Sequence, residues 1–281
     1  MKLRHVIFDL FGDYLRHRGG EIRLRDLVAL LGHLGVPEPT VRVVAARLRK
    51  EGFLTSRREG RETVYSLSEQ GWWTLDERRF RIFIRPSGPW DGQWSVIIYH
   101  VPETERALRE QLRKRLTLHG YGPLAPSVWI SPHDRSALVR PDLAGNPVVR
   151  LDIFRGRSEG PEKDRDMVER AWDLATLDRD YAALLDSYRP RLAAYRAGEV
   201  HGPAALAERL QLLDTYRSFP FRDPYLPPEL LPEDWSGRAA HEMFLEAYGL
   251  LRAPAEAFVE SVLHGSRVPR VGPPVVEVGG P

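Results

Sequence analysis

Arg42, Arg47, Arg49 and Lys50, interspersed with Val43 and Ala46, occupy one side of a segment bounded by Pro37 and Gly52. Arg57, Arg58 and Arg61 follow shortly after it. Arginine carries a planar fork of N–H donors that fits guanine O6 and N7 or a phosphate, whereas lysine offers a compact point charge. A row of these residues at helical spacing is chemistry for a polyanion, and DNA is the expected one. Arg42, Val43, Ala46, Arg47 and Lys50 fall where base edges would meet a helix, with Thr40 and Arg49 completing the candidate set there. Arg57, Arg58 and Arg61 flank a turn at Glu59-Gly60, and Arg58 and Arg61 suit phosphate or the minor groove. Phosphate contacts position such a protein and base contacts give it specificity. A solvated charged face explains a short basic cluster equally well, so the surrounding elements must decide.

Those elements are legible. Val41, Val44, Ala45 and Leu48 recur at the i, i+3, i+4, i+7 spacing of one buried helix stripe, with proline in the first turn and Gly52 at the end. Ahead of it, residues 3–17 read as a helix with Val6, Ile7, Leu10, Phe11 and Leu15 on its apolar side, broken by Gly19-Gly20. A second helix is expected over Leu24–Leu34, ending at Gly35. Strands over Leu54–Arg58 and Thr63–Leu67 follow, then a helix from Ser68 to about Arg81. The order helix, helix, helix, hairpin predicts a winged helix-turn-helix over 1–85.

After a proline- and glycine-rich boundary at 86–92, Trp94–Tyr99 is a continuous apolar, β-branched run expected to be a buried strand. An amphipathic helix over Glu103–His119, strands at 122–124 and 128–131, a weakly marked helix or loop near Pro132–Val139 and a strand at 148–154 complete a β-α-β-β-α-β order. That order predicts a ferredoxin-like domain over 90–156. Beyond a polar linker at 156–163 the chain reads as helical over 164–265, with helices near Asp164–Leu174, Leu177–Arg196, Pro203–Ser218 and Gly237–Leu263. A proline-rich interruption separates the last two, and residues 266–281 read as a loose tail. The fold class is α+β.

Charge is divided along the chain. The whole carries a net +2. Residues 1–85 hold 17 Lys/Arg against 11 Asp/Glu, a net of +6, which leaves −4 for the remainder. The N-terminal part suits a polyanion and the rest does not. With no cysteine there is no disulfide framework and no thiolate metal site. No run approaches the roughly 18–20 apolar residues of a membrane span, and Asp9 and Asp13 interrupt the N-terminal apolar stretch, so no signal peptide is expected. Cytoplasmic residence is the default expectation.

Other chemistry is weakly marked. Trp90, Trp94, Trp129, Trp172 and Trp235 invite an aromatic ligand pocket, but core packing is the stronger reading. Arg222-Asp223-Pro224 suits a structural ion pair better than a phosphate contact. The nine histidines show no HExxH-like spacing. His133-Asp134 is the one adjacent pair of interest, and the strand Ser95–Tyr99 carries no aspartate, so metal-dependent catalysis is not expected. Glycine fingerprints for nucleotides are absent.

A series of motifs in order, from Phe11-Gly12-Asp13-Tyr14 through Trp90-Asp91-Gly92 to Arg222-Asp223-Pro224-Tyr225, gives the chain a specific likeness: it resembles the PaaX-like transcriptional repressors of phenylacetate catabolism. The resemblance rests on Phe11-Gly12-Asp13-Tyr14 and Arg18-Gly19-Gly20-Glu21, then on Ser56-Arg57-Arg58 with Gly60-Arg61. It continues through Trp90-Asp91-Gly92, Gly120-Tyr121-Gly122-Pro123-Leu124, Val128-Trp129-Ile130-Ser131-Pro132 and Arg222-Asp223-Pro224-Tyr225, and covers the chain to about residue 265. It implies a central domain like the Cas2 nucleases, a helical C-terminal domain, a homodimer and release from operator DNA by an acyl-CoA, typically phenylacetyl-CoA. An acyl-CoA held between the central and C-terminal domains would favour an arrangement unable to span both half-sites. On this reading no cofactor and no metal is needed, and Trp90, Trp94, Trp129 and Arg222 are the candidate effector contacts. The rival readings are a Cas2-like metal-dependent nuclease steered by its winged helix and an effector-free architectural DNA-binding protein.

Overall fold

The computed structural model describes residues 1–85, 89–139 and 148–263. The expected tail at 266–281 lies outside them, as does part of the boundary at 86–92. The fold is α+β with two antiparallel sheets. The chain divides into two compact units: Met1–Phe83 with Tyr188–Tyr216 and the stretch from Glu242, and Ile84–Ser187 with Arg217–His241.

In the first unit α1 (Leu3–Leu10) runs into a π-helical turn (Phe11–Leu15) and a 3-10 turn (Arg16–Arg18). The expected helix over 3–17 is thus helical throughout but widened in its middle, where Asp13 is drawn inward. β1 (Glu21–Arg23), too short and too charged to be read from sequence, leads to α2 (Leu24–Gly32). Then come α3 (Glu38–Lys50), β2 (Leu54–Glu59), β3 (Glu62–Leu67) and α4 (Glu69–Phe83). The strand order is β1-β3-β2. Val41, Ala45 and Leu48 of α3 are buried with Ile7 and Leu10 of α1 and Leu27, Leu30 and Leu31 of α2. Val44, assigned to the same stripe, is only half-buried at its edge.

α3 starts where the sequence indicates. Pro37 is its extended N-cap and Pro39 lies in the first turn, where no backbone N–H is needed. It stops at Gly52, whose φ of +83° lets Gly52 N–H bond Arg49 O and Phe53 N–H bond Leu48 O. The hairpin turn falls one residue later than expected, at Gly60-Arg61, with Glu59 paired to Glu62 and φ +61° at Gly60. Glycine takes that positive φ without steric cost, and primed two-residue turns suit hairpins because their twist matches that of the flanking strands.

The second unit is built on β4 (Trp94–His100), α5 (Arg106–Leu118), β5 (Gly122–Ala125), β6 (Val128–Ser131), α6 (Ser136–Val139) and β7 (Arg150–Gly156). The sheet order is β5-β6-β4-β7, every pair antiparallel. The expected β-α-β-β-α-β succession is present. Ile97, Tyr99, Leu112, Leu116 and Trp129 pack on one face of the sheet. Trp94 and Ile130 pack on the other with Val168 and Ala171 of α7 (Pro161–Ala171) and with Leu226 and Leu230.

α8 (Leu174–Arg196) continues through Pro190, and α9 (Gly202–Tyr216) follows. The single helix expected over Gly237–Leu263 is two, α10 (Ser236–Leu250) and α11 (Arg252–Leu263). Pro254 accounts for the break, since proline disfavours helix in the residue before it and is tolerated only in a first turn. Among the described residues no helix is long and apolar enough to cross a membrane.

Candidate nucleic-acid interface

The exposed side of α3 carries all the residues expected there. Thr40, Arg42, Val43, Ala46, Arg47, Arg49 and Lys50 are exposed, while the opposite stripe is buried. Val43 is 66% exposed, a large apolar side chain in water with no packing role. On a reading helix such a residue suits a thymine methyl group. Arg49 leaves the centre of this face and reaches the hairpin, its Nη1 lying 3.2 Å from Ser56 Oγ on β2. Helix and hairpin are thereby joined along one edge.

The basic side chains are partly tethered. Arg42 donates to Glu38 through Nε at 2.7 Å, and Arg47 to Glu51 through Nε at 2.7 Å. Arg57 bridges to Glu21 on β1 through Nε and Nη2, at 3.3 and 2.7 Å, and to Glu59 at 3.2 Å. The Glu21 bonds hold the Arg57 guanidinium above its usual proton affinity. Arg57 therefore braces the hairpin against β1. Arg58 and Arg61 at the hairpin end are exposed, and the one bond found between them runs from Arg58 Nη1 to Arg61 O at 3.3 Å. A groove of about 200 Å³ beside α3 is lined by Leu3, Arg4, Val44, Arg47, Leu48 and Glu51. It is smaller than the roughly 300–1,000 Å³ of pockets that enclose small-molecule ligands.

The same compact unit holds a polar cluster that sequence reasoning missed. The Asp13 carboxylate, 2% exposed, pairs with Arg79 and accepts from the Tyr248 hydroxyl, while Arg209 Nη2 lies 3.6 Å away. The Arg209 guanidinium, itself 5% exposed, stands 3.6 Å from the centroid of the Tyr248 ring and donates to the Tyr248 carbonyl. Burial, reinforced by Asp13, pushes the Tyr248 hydroxyl well above its usual range, so it stays protonated and donates. The signal in the sequence was Asp13, with Asp9 one of two acids inside an apolar helix, but its partners lie far along the chain and no local pattern announces them.

Of the candidate effector contacts, Trp90 and Trp94 are brought together and Trp129 is not. Trp90 and Trp94 meet edge to face at 5.3 Å, and Trp94 stacks on Trp172 at 6.3 Å. Trp94 is 1% exposed and donates to Asp164 at 2.7 Å. Trp129 packs on the opposite face of the sheet, 5% exposed. Arg222 pairs with Asp180 and lies over the Phe219 ring, the structural arrangement favoured from sequence. Asp223 is buried and accepts from Tyr181 at 2.7 Å and from Arg85 at 3.4 Å. His133 Nε2 lies 2.6 Å from Tyr225 O, and burial lowers its proton affinity. Asp134 caps Ser136 through its backbone N–H and hydroxyl. Among the described residues no three His, Asp or Glu side chains gather as metal ligands.

Comparison with known proteins fixes the lineage. Three family models match in order: PaaX-like protein over residues 2–71, the PaaX protein central Cas2-like domain over 87–168, and the PaaX-like protein C-terminal domain over 172–261. The Transcriptional repressor PaaX of Escherichia coli (strain K12) is 33% identical over 260 residues, which span 90% of this chain and 82% of that protein. This chain belongs to the PaaX family. Its fold is also similar to that of Rv0674 from Mycobacterium tuberculosis, with a TM-score of 0.60 over 85% of this chain and 90% of that one, at 23% identity. The resemblance read from short motifs thus extends over 82% of the length of a PaaX-family repressor.

Proposed function

We propose that this chain is a transcriptional repressor that reads DNA through residues 37–67, which supply the reading helix α3 and the β2–β3 wing of a winged helix-turn-helix over 1–85. The observation that carries the reading is the exposed row Arg42, Val43, Ala46, Arg47 and Lys50 beside a wing tipped by Arg58 and Arg61. Family membership supports it, since the relative from Escherichia coli is a repressor. Arg47 and Lys50 would meet base edges in the major groove, while Arg58 and Arg61 would hold phosphate. The exposed apolar Val43 fits a base edge better than it fits water.

The finer reading follows the family. The protein is a cytoplasmic homodimer on two half-sites, controlling an operon for breakdown of an aromatic acid of the phenylacetate type, and an acyl-CoA such as phenylacetyl-CoA releases it. It needs no cofactor and performs no catalysis. Release requires the effector to bind the non-gripping arrangement more tightly than the gripping one, not merely to bind tightly. The test is a gel shift on DNA upstream of its own operon, titrated with phenylacetyl-CoA, other CoA thioesters and free phenylacetate. Release by one thioester and not by free acid supports the whole reading. Stable binding untouched by any of them keeps the DNA reader and removes the effector.

A further inference from the structure

Arg47 does not offer its whole guanidinium to solvent. Its Nε donates to Oε1 of Glu51, the residue that closes α3, at 2.7 Å. The other oxygen of Glu51 lies 3.5 Å from Arg4 Nη2, and the Arg4 guanidinium stands 5.4 Å from the centroid of the Phe53 ring. Glu51 is therefore held from two sides, by α1 as well as by α3. The hydrogen bond from Arg47, with the Arg4 charge behind it, keeps the Glu51 carboxyl ionised below its usual range.

Only the Nε edge of Arg47 is used. Its side chain is 73% exposed, and among the described residues no partner is found for Nη1 or Nη2. That two-donor end is the one that fits guanine O6 and N7. Arg42 is held differently, with both Nε and Nη2 on Glu38 Oε1 at 2.7 and 2.6 Å, so its fork is turned toward the helix. One arginine of the face is thus braced with its fork end open.

We infer that Glu51 is a positioning residue for sequence reading: it braces Arg47 toward a guanine and, by its own charge, discourages binding to phosphate alone. The inference rests on the DNA-reading assignment above. A long arginine held in one geometry loses less freedom on docking than a mobile one. A carboxylate beside a duplex repels the backbone unless a specific contact offsets it. The two effects act in the same direction. Together they exchange general affinity for discrimination. An exposed pair of this kind adds little to stability, so its removal can be read as an effect on recognition.

The test is enrichment from a randomised duplex library by the full-length chain, with affinity for a fixed random-sequence duplex measured alongside. The wild type should fix a guanine in each half-site. Glu51→Gln should lose preference at that one position by roughly tenfold or more, keep the others, and bind the random duplex more tightly. Glu51→Asp, which keeps the charge but withdraws it from Arg47, should lose the guanine preference without the gain on random duplex. In an Arg47→Ala background Glu51→Gln should leave the preference unaltered, because the brace then holds nothing. An unchanged guanine preference in Glu51→Gln, or an equal loss in the Arg47→Ala background, overturns the inference. A wild type that enriches no motif removes the DNA-reading assignment and this inference together.

Discussion

Asp13 of the first helical segment accepts a hydrogen bond from the hydroxyl of Tyr248, 235 residues further along the chain. Arg79 and Arg209 share the same carboxylate. The elements that present the basic helix and those near the C-terminus therefore share one buried polar centre inside one compact unit. Replacing Asp13 with alanine leaves the buried Arg209 guanidinium and the half-buried Arg79 without their counter-charge. Loss of one partner from a buried ionic pair costs about 3–5 kcal/mol. Urea unfolding of Asp13→Ala should show a loss of that order, and a loss within about 0.5 kcal/mol, the range of ordinary surface changes, would contradict the counter-charge role.

Trp94 supplies a second stability prediction. Its indole N–H meets Asp164 at 2.7 Å inside the sheet–helix core of the second unit. Trp94→Phe keeps an aromatic ring but leaves that acceptor unsatisfied, a change that costs about 1–3 kcal/mol. Thermal unfolding should report this loss, and DNA binding measured where the variant is fully folded should be unchanged. A variant as stable as the parent would show that Asp164 finds another donor.

Acid should weaken the fold through His241. Burial, assisted by the nearby Arg85 charge, lowers its proton affinity to about 4 from the ordinary 6.5. The unfolded chain then binds more protons between those values, so the neutral form's contribution is complete above about pH 6.5 and is lost as pH falls toward 4. The stability of the wild type should drop across that window. His241→Gln should flatten part of the slope, and an identical slope in the variant would locate the sensitivity elsewhere.

Salt dependence separates phosphate gripping from other attachment. Each phosphate neutralised releases condensed counterions, so the affinity should fall linearly on logarithmic axes as salt rises. On the proposed reading Arg58 holds one phosphate, so Arg58→Ala should reduce the slope by about one. A flat response in the wild type would argue against the whole basic face.

Much of this architecture is legible in the sequence. The stripe Val41, Ala45 and Leu48 gave the orientation of α3, because an apolar face at helical spacing can only turn inward. The run Trp94–Tyr99 announced a buried strand for the same reason. What escaped was non-local. β1 is three residues long and charged, so its pairing with β3 has no periodic signal. The burial of Asp13 depends on Arg209 and Tyr248, which no local pattern connects to it. The tethering of Arg57 to Glu21 follows from a strand order that places β3 between β1 and β2. Tryptophan count likewise says nothing of which sheet face each ring meets, and Trp94 and Trp129 lie on opposite ones.

The most direct test of the central claim is a gel shift at physiological salt on DNA upstream of the protein's own operon, comparing the wild type with Arg47→Ala/Arg58→Ala. Both side chains are exposed, so the double variant should keep the parent's circular dichroism spectrum and oligomeric state. The account predicts a discrete complex for the wild type and none for the variant at the same protein concentration. A double variant that folds normally and binds this DNA as tightly as the wild type would contradict it.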